Sequence, residues 1–203
     1  MIRNVIFDFG NVLAKFEPRD MVARFEPNPR NADLLTEVVF DRLYWNDADA
    51  GTITDDETKN AFCTRLPQEL HEVARNIYDA WPTLLPPIDG MCELVAELKE
   101  RGYALYLLSN ISTKFADEYK DIPWLAALFS QFDGLVFSAP IGLVKPHRKI
   151  FAHLLDTYSL KAEECVFIDD SQKNIDGCNA VGIHGILFDG DVAQLRRTLA
   201  ATL

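Results

Sequence analysis

Asp8 follows the apolar run Val5-Ile6-Phe7, and a second acidic pair, Asp169-Asp170, closes the run Val166-Phe167-Ile168. An ionised carboxylate resists burial beside such runs unless a cation or hydrogen-bond donors meet it. The chain offers both kinds of partner. Ser109-Asn110 closes the run Ala104 to Leu108, and Lys145 stands before Pro146 in "GLVKPHRKIF". If strand geometry persists through Asp169 and Asp170, their side chains point to opposite sides, so only one need reach a metal directly. Mg²⁺ takes one or two carboxylates together with waters and phosphate oxygens, a use that suits Asp8 with Asp170. Without a cation, Asp8, Asp169 and Asp170 at one sheet edge would repel one another. Ser109, set between a strand and a helix, could offer its hydroxyl and the N–H groups after it to an anion. In the segment from Lys145 to Lys149, Lys145, His147, Arg148 and Lys149 crowd a helix N-terminus that disfavours cations, so an anion from ligand or protein is expected there.

The elements that must position these residues are legible as apolar runs. Val5–Phe7, Ala104–Leu108, Leu135–Phe137, Val166–Ile168 and Gly185–Phe188 are short and do not alternate with polar residues, so both faces of the sheet should be covered. Helical periodicity lies between them: Met91, Leu94, Val95 and Leu98 share one face, as do Ile150, Phe151, Leu154, Leu155 and Tyr158. Strands alternating with helices imply an α/β fold with a doubly wound parallel sheet, in which ligands bind beyond the carboxyl ends of the strands. Asp8, Ser109-Asn110, Ser138 and Asp169-Asp170 all stand at such ends.

Residues 15–81 show helical periodicity only, with a capping box at Thr54–Glu57. They read as a small inserted helical cap on a core made of residues 1–14 and 82–203. The outgoing connection falls near Ala14 to Pro18 and the returning one in the proline-rich segment 81–90, a two-stranded tether suited to a lid. Phe40, Tyr44, Trp45 and His71 read as the interior of that cap.

At 203 residues the chain can form one full core, and its 25% charged residues are ordinary for a globular protein. The net charge of -11, with lysine and arginine gathered into no stripe, argues against a nucleic-acid or anionic-membrane surface. Cys63, Cys92, Cys165 and Cys178 show no metal-binding or redox spacing. Asp8 interrupts the N-terminal apolar stretch too early for a signal peptide, and no run is long enough to span a bilayer. The expectation is a cytoplasmic protein.

Taken in order, "VIFDFGNVL", "LYLLSN", "GLVKPHRKIF" and "CVFIDDSQKNIDGCNAVGI" resemble the four motifs of the haloacid dehalogenase-like (HAD) hydrolases with a small helical cap, over essentially the whole chain. The first motif is similar to that of bacterial sugar-phosphate phosphatases of the α-D-glucose-1-phosphate phosphatase group. The resemblance implies a Rossmann-like core and Mg²⁺-dependent hydrolysis of a small phosphorylated metabolite through an aspartyl phosphate. It implies Asp8 as nucleophile, Ser109 and Lys145 on the transferring phosphoryl group, and Asn110 as a further donor. It implies Asp8, Asp170, the Gly10 carbonyl and, directly or through water, Asp169 around the metal.

One position departs from the family pattern. Most HAD phosphatases carry a second aspartate two residues after the nucleophile, which protonates the leaving group and then activates water; here Gly10 occupies that place. A sugar 1-phosphate, whose anomeric oxygen leaves more readily than an ordinary alcohol, would suffer least. Glu17, Asp20 and His147 are the sequence-level candidates for a replacement acid. The competing readings are a catalytically weak phosphate-binding or regulatory protein and a metal-independent 2-haloacid dehalogenase.

Overall fold

The computed structural model describes residues 1–203. The five apolar runs form β1 (Asn4–Phe7), β2 (Ala104–Ser109), β3 (Gly134–Phe137), β4 (Cys165–Asp169) and β5 (His184–Leu187). They make one parallel sheet in the order β3-β2-β1-β4-β5. Successive strand residues face opposite sides. Val5, Phe7, Leu105, Leu107, Val166 and Ile168 join one apolar cluster, while Ile6, Tyr106, Leu108, Cys165 and Phe167 join another. Both faces are therefore dry, which explains the missing polar alternation. Phe7 pairs with Leu107 on one side and Ile168 on the other, so β1 is central and Asp8 and Asp169 each stand one residue past a paired position.

Between β1 and β2 lie α1 (Pro18–Ala23), α2 (Pro29–Val39), α3 (Arg42–Asp49), α4 (Asp55–Cys63), α5 (His71–Ala80) and α6 (Met91–Glu100). After β2 come α7 (Thr113–Glu118), α8 (Pro123–Phe129), α9 (Ser138–Ile141), α10 (Arg148–Thr157), α11 (Gln172–Asn179) and α12 (Val192–Thr202), interleaved with the remaining strands. Local chemistry sets several starts. Asn28 accepts the Arg30 and Asn31 N–H groups ahead of Pro29, and Thr54 with Glu57 closes the capping box before α4. Helix α6 buries Met91, Leu94, Val95 and Leu98, the face its periodicity marks.

The two connectors run side by side. The Lys15 N–H donates to the Pro86 carbonyl at 2.9 Å and the Ile88 N–H to the Leu13 carbonyl at 3.0 Å, with Ala14 and Pro87 bridged between them. The larger apolar cluster, 40 buried residues against 12 on the other face, continues from the sheet into Leu35, Trp45, Phe62 and Tyr78 of the inserted helices. Trp81 stacks on Phe115 at 5.5 Å, and Phe16 meets Trp45 edge-on at 5.4 Å. These helices thus roof the carboxyl ends of the strands through continuous packing. All four cysteines are free thiols. No helix is long and apolar enough to cross a membrane.

Candidate active site

Asp8 leaves β1 with its N–H bonded to the Ile168 carbonyl at 2.9 Å. Its Oδ1 lies 2.7 Å from Lys145 Nζ, and the same ammonium lies 2.7 Å from Asp169 Oδ2. The Lys145 side chain is 1% exposed and that of Asp169 is 0% exposed, so water cannot substitute for either partner. Asp169 is further held by the Ser171 N–H at 2.8 Å and by the Asn174 amide, which reaches both its oxygens at 2.9 and 3.0 Å. Its acceptor capacity is directed at protein groups. Asn110 grips the Lys145 backbone, donating to its carbonyl at 2.9 Å and accepting its N–H at 2.8 Å. That amide, which the family resemblance implies as a further donor to the phosphoryl group, holds the Lys145 backbone with both its nitrogen and its oxygen, and Asn110 also lines the cavity above this site.

Burial pushes the Asp8 carboxyl up; the Lys145 ammonium pulls it down and Asp169 pushes it up again, with a net rise. Burial works against the Lys145 ammonium, yet Asp8 and Asp169 together hold its pKa above the usual lysine value. The ammonium therefore remains a fixed positive charge against the two carboxylates.

Asp8, Asp169 and Asp170 each present a carboxylate oxygen within 4.8 Å of the others. Asp170 is exposed while Asp169 is sealed, as strand alternation requires. Asn11, at φ +56°, donates its amide to Asp170 Oδ2 at 3.2 Å and accepts the Phe16 N–H at 3.1 Å. Asparagine is among the few residues that tolerate this left-handed backbone, and here it ties the first loop to the acidic pair. The Gly10 carbonyl accepts none of the backbone hydrogen bonds of that loop. Three carboxylates facing one ammonium leave an excess of negative charge on hard oxygen donors, a set that fits a small divalent cation.

Above this cluster is a cavity of about 440 Å³, within the range of small-molecule sites. Asp8, Gly10, Ser109, Asn110, Lys145 and Asp170 line it from the sheet side. Phe16, Arg42, Trp45, Asn46, Asp49 and Trp81 line it from the inserted segment. Trp45 combines two roles, stacking on Phe40 at 5.4 Å and donating its Nε1–H to the Val39 carbonyl at 2.8 Å while walling the cavity. Phe40, Tyr44 and His71 do not line it.

Three sequence expectations change. Ser109, 2% exposed, is the last residue of β2, and α7 starts only at Thr113, capped by Ser112, whose hydroxyl oxygen accepts the Phe115 N–H; of the N–H groups after Ser109, that of Ile111 is taken by Ser138 Oγ at 2.8 Å. Pro146 precedes α10, whose cap is His147, with Nδ1 accepting the Lys149 N–H at 3.2 Å. Of that basic cluster only Lys145 turns inward, and protein carboxylates supply its anion; His147, Arg148 and Lys149 face solvent. None of Glu17, Asp20 and His147 lines the cavity; Glu17 borders an adjoining groove that shares Asn11 and Asp170 with it, and Asp20 is exposed on α1. Besides Asp8 and Asp170, the carboxyl that lines it is that of Asp49, which the sequence does not single out. Its signal was the spacing of Arg42, Asn46 and Asp49, three polar residues on one helical face immediately before Gly51.

Residues 2–182 match the haloacid dehalogenase-like hydrolase family, and the chain belongs to it. It is similar to sesquiterpene phosphatase astK of Aspergillus oryzae, 27% identical over 188 residues covering 93% of this chain and 90% of the relative. It is also similar to D-ribitol-5-phosphate phosphatase of Bacteroides thetaiotaomicron, 25% identical over 186 residues and 86% of each chain. Other relatives are longer: the chain spans 34% of one and 19% of another. Among solved structures, a wild-type HAD family enzyme from Bacteroides thetaiotaomicron in complex with magnesium and inorganic phosphate superposes with a TM-score of 0.68. That match is 19% identical, over 96% of this chain and 99% of the other, and carries the fold alone.

Proposed function

We propose that this hydrolase is a Mg²⁺-dependent phosphatase of small phosphomonoesters, working through an aspartyl phosphate on Asp8. The observation that carries the reading is the pair of 2.7 Å contacts from Lys145 to Asp8 and Asp169 at a cavity floor that Asp170 also lines. Asp8 attacks phosphorus as the bond to the leaving oxygen breaks; water then attacks the same phosphorus, the bond to Asp8 breaks, and the carboxylate returns. Lys145 offsets part of the cost of ionising Asp8 and meets the charge of the phosphoryl group, Ser109 donates its hydroxyl to that group, and Asn110 fixes Lys145. Asp8, Asp170 and the Gly10 carbonyl would hold Mg²⁺, with Asp169 completing the acidic set. The cation supplies positive charge to the phosphoryl oxygens, where most of the catalysis of phosphoryl transfer lies. Residues 15–81 act as the cap on the core of residues 1–14 and 82–203.

For the substrate we favour a sugar phosphate such as a sugar 1-phosphate. A wall combining Phe16, Trp45 and Trp81 with Arg42, Asn46 and Asp49 suits a body with apolar faces and hydroxylated edges. The relatives named for ribitol 5-phosphate and for a sesquiterpene differ in the leaving group and share the phosphate. The test is phosphate release from a panel of sugar and isoprenoid phosphates, with Mg²⁺ and with EDTA, by wild type and Asp8→Asn. Metal-dependent turnover lost in Asp8→Asn is expected; turnover that ignores both EDTA and the substitution would overturn the reading. The dehalogenase alternative leaves the Asp8-Asp169-Asp170 cluster without a use, and halide release from a 2-haloacid would revive it. Gly10 favours one other reading, a phosphate binder with negligible turnover, which robust hydrolysis would end.

A further inference from the structure

We propose that Asp49, carried at the end of α3, is the proton donor and acceptor of this reaction, in the place that Gly10 leaves without an acid. The inference rests on the phosphatase reading above and adds a catalytic residue to it. The carboxyls lining the cavity are Asp8, Asp49 and Asp170, and no histidine lines it. Asp8 and Asp170 belong to the acidic set at the floor. Asp49 is therefore the one carboxyl in the cavity that is free to handle a proton, and it comes from the opposite wall, the side from which a leaving group must depart.

Its position is fixed by a clasp between the inserted helices and the sheet. The Ser138 hydroxyl donates to the Asp49 carbonyl at 2.6 Å while its oxygen accepts the Ile111 N–H at 2.8 Å. One serine thus joins the end of α3, the end of β3 and the loop after Ser109. Two residues on, Gly51 sits at φ +69°, and a Cβ there would run into the Ala139 carbonyl oxygen, so the turn lies against α9 with no room for a side chain. A loosely tethered lid would not need so close an approach. The clasp holds Asp49 at a set place in the cavity wall.

The surroundings also suit the task. Burial pushes the Asp49 carboxyl up to about 7, while Arg42 on its own helix and Lys145 from the floor pull it down. Asp8, Asp170 and Lys173 are the other charged groups in the cavity. A general acid works best when it titrates near the working pH. In the first step Asp49 gives its proton to the bridging oxygen as the phosphorus–oxygen bond breaks, releasing a neutral alcohol. In the second, the Asp49 carboxylate takes a proton from the water that attacks the phosphorylated Asp8, releasing inorganic phosphate and restoring both side chains.

The test compares wild type, Asp49→Asn and Asp49→Glu on an alkyl phosphate and on p-nitrophenyl phosphate, with Mg²⁺, from about pH 5 to about pH 9. Asp49→Asn is expected to lose about 10² to 10⁴-fold in kcat/KM on the alkyl ester. It should lose far less on the nitrophenyl ester, whose leaving group needs no proton. The fall of wild-type kcat/KM above about pH 7 should vanish in Asp49→Asn and persist in Asp49→Glu. Equal losses on the two esters, or an alkaline limb surviving in Asp49→Asn, would overturn the assignment, as would full alkyl-ester activity in that variant. Wild type without turnover on any ester would instead refute the phosphatase reading itself.

Discussion

Lys145→Met removes the only cation between two buried carboxylates and nearly preserves side-chain length. In the native protein the ammonium is 2.7 Å from both Asp8 and Asp169, and the lysine side chain is 1% exposed. Removing one partner of a buried ion pair costs about 3 to 5 kcal/mol, because the remaining charge stays desolvated and unpaired. Here two carboxylates lose the same partner, so the upper part of that range applies. For a chain of this size, about 4 to 5 kcal/mol corresponds to a fall in Tm of roughly 8 to 20 °C. Asp169→Asn in the Lys145→Met background should recover part of it. An asparagine oxygen can still accept the Ser171 N–H that Asp169 Oδ1 accepts at 2.8 Å, and its amide then faces no ammonium. The assay is urea unfolding of wild type, both single variants and the double variant, in EDTA at neutral pH. A coupling of more than about 1 kcal/mol is expected, since the two residues share one network. Additivity within about 0.5 kcal/mol would refute the claim that these charges are held as a unit.

Ser109→Ala should lower kcat by about 10² to 10³-fold with little change in stability, as loss of one donor to a developing charge does; a change confined to KM would remove Ser109 from that role. The folded-state carboxyl of Asp49 lies above its unfolded value, so between about pH 4 and about pH 7 the native chain holds a proton that the unfolded chain has lost. Wild-type stability therefore falls as pH rises through that window, and Asp49→Asn should gain on wild type by about 1 to 2 kcal/mol, after discounting for partial solvent screening. Urea midpoints of the two proteins across that range check it; a constant difference would contradict the sign. Gly51→Ala should cost more than about 1 kcal/mol, from the left-handed backbone and from the collision with the Ala139 carbonyl. An unchanged Tm would show that the clasp yields freely.

The sheet was legible because the three central strands, buried on both faces, leave uninterrupted apolar runs, because the edge strands β3 and β5 leave shorter ones, and because polar residues such as Asp8, Ser109 and Asp169 recur at one end of them. The spatial order of the strands and the register that levels Asp8 with Asp169 are tertiary facts with no local signature. Asn110 illustrates a second limit: residue type marks it as a donor, but only the position of the Lys145 backbone decides where it donates. His147 and Glu17 lie close in sequence to site residues, yet His147 is spent as a helix cap and Glu17 stands in the neighbouring groove on the far side of Asn11 and Asp170, outside the cavity. Asp49 shows the reverse. It is 41 positions from Asp8 in a stretch that reads as a solvated helix end, and the Ser138 hydroxyl and the Gly51 turn bring it to the cavity.

The claim on which the rest depends is that Asp8 carries the phosphoryl group between two displacements. The stereochemical course at phosphorus tests this directly, using a substrate whose phosphoryl group is made chiral with oxygen isotopes and transferring it to an alcohol acceptor in place of water. Two successive in-line displacements should give overall retention of configuration. Inversion would mean that the acceptor attacks the substrate itself, and would contradict the role assigned to Asp8.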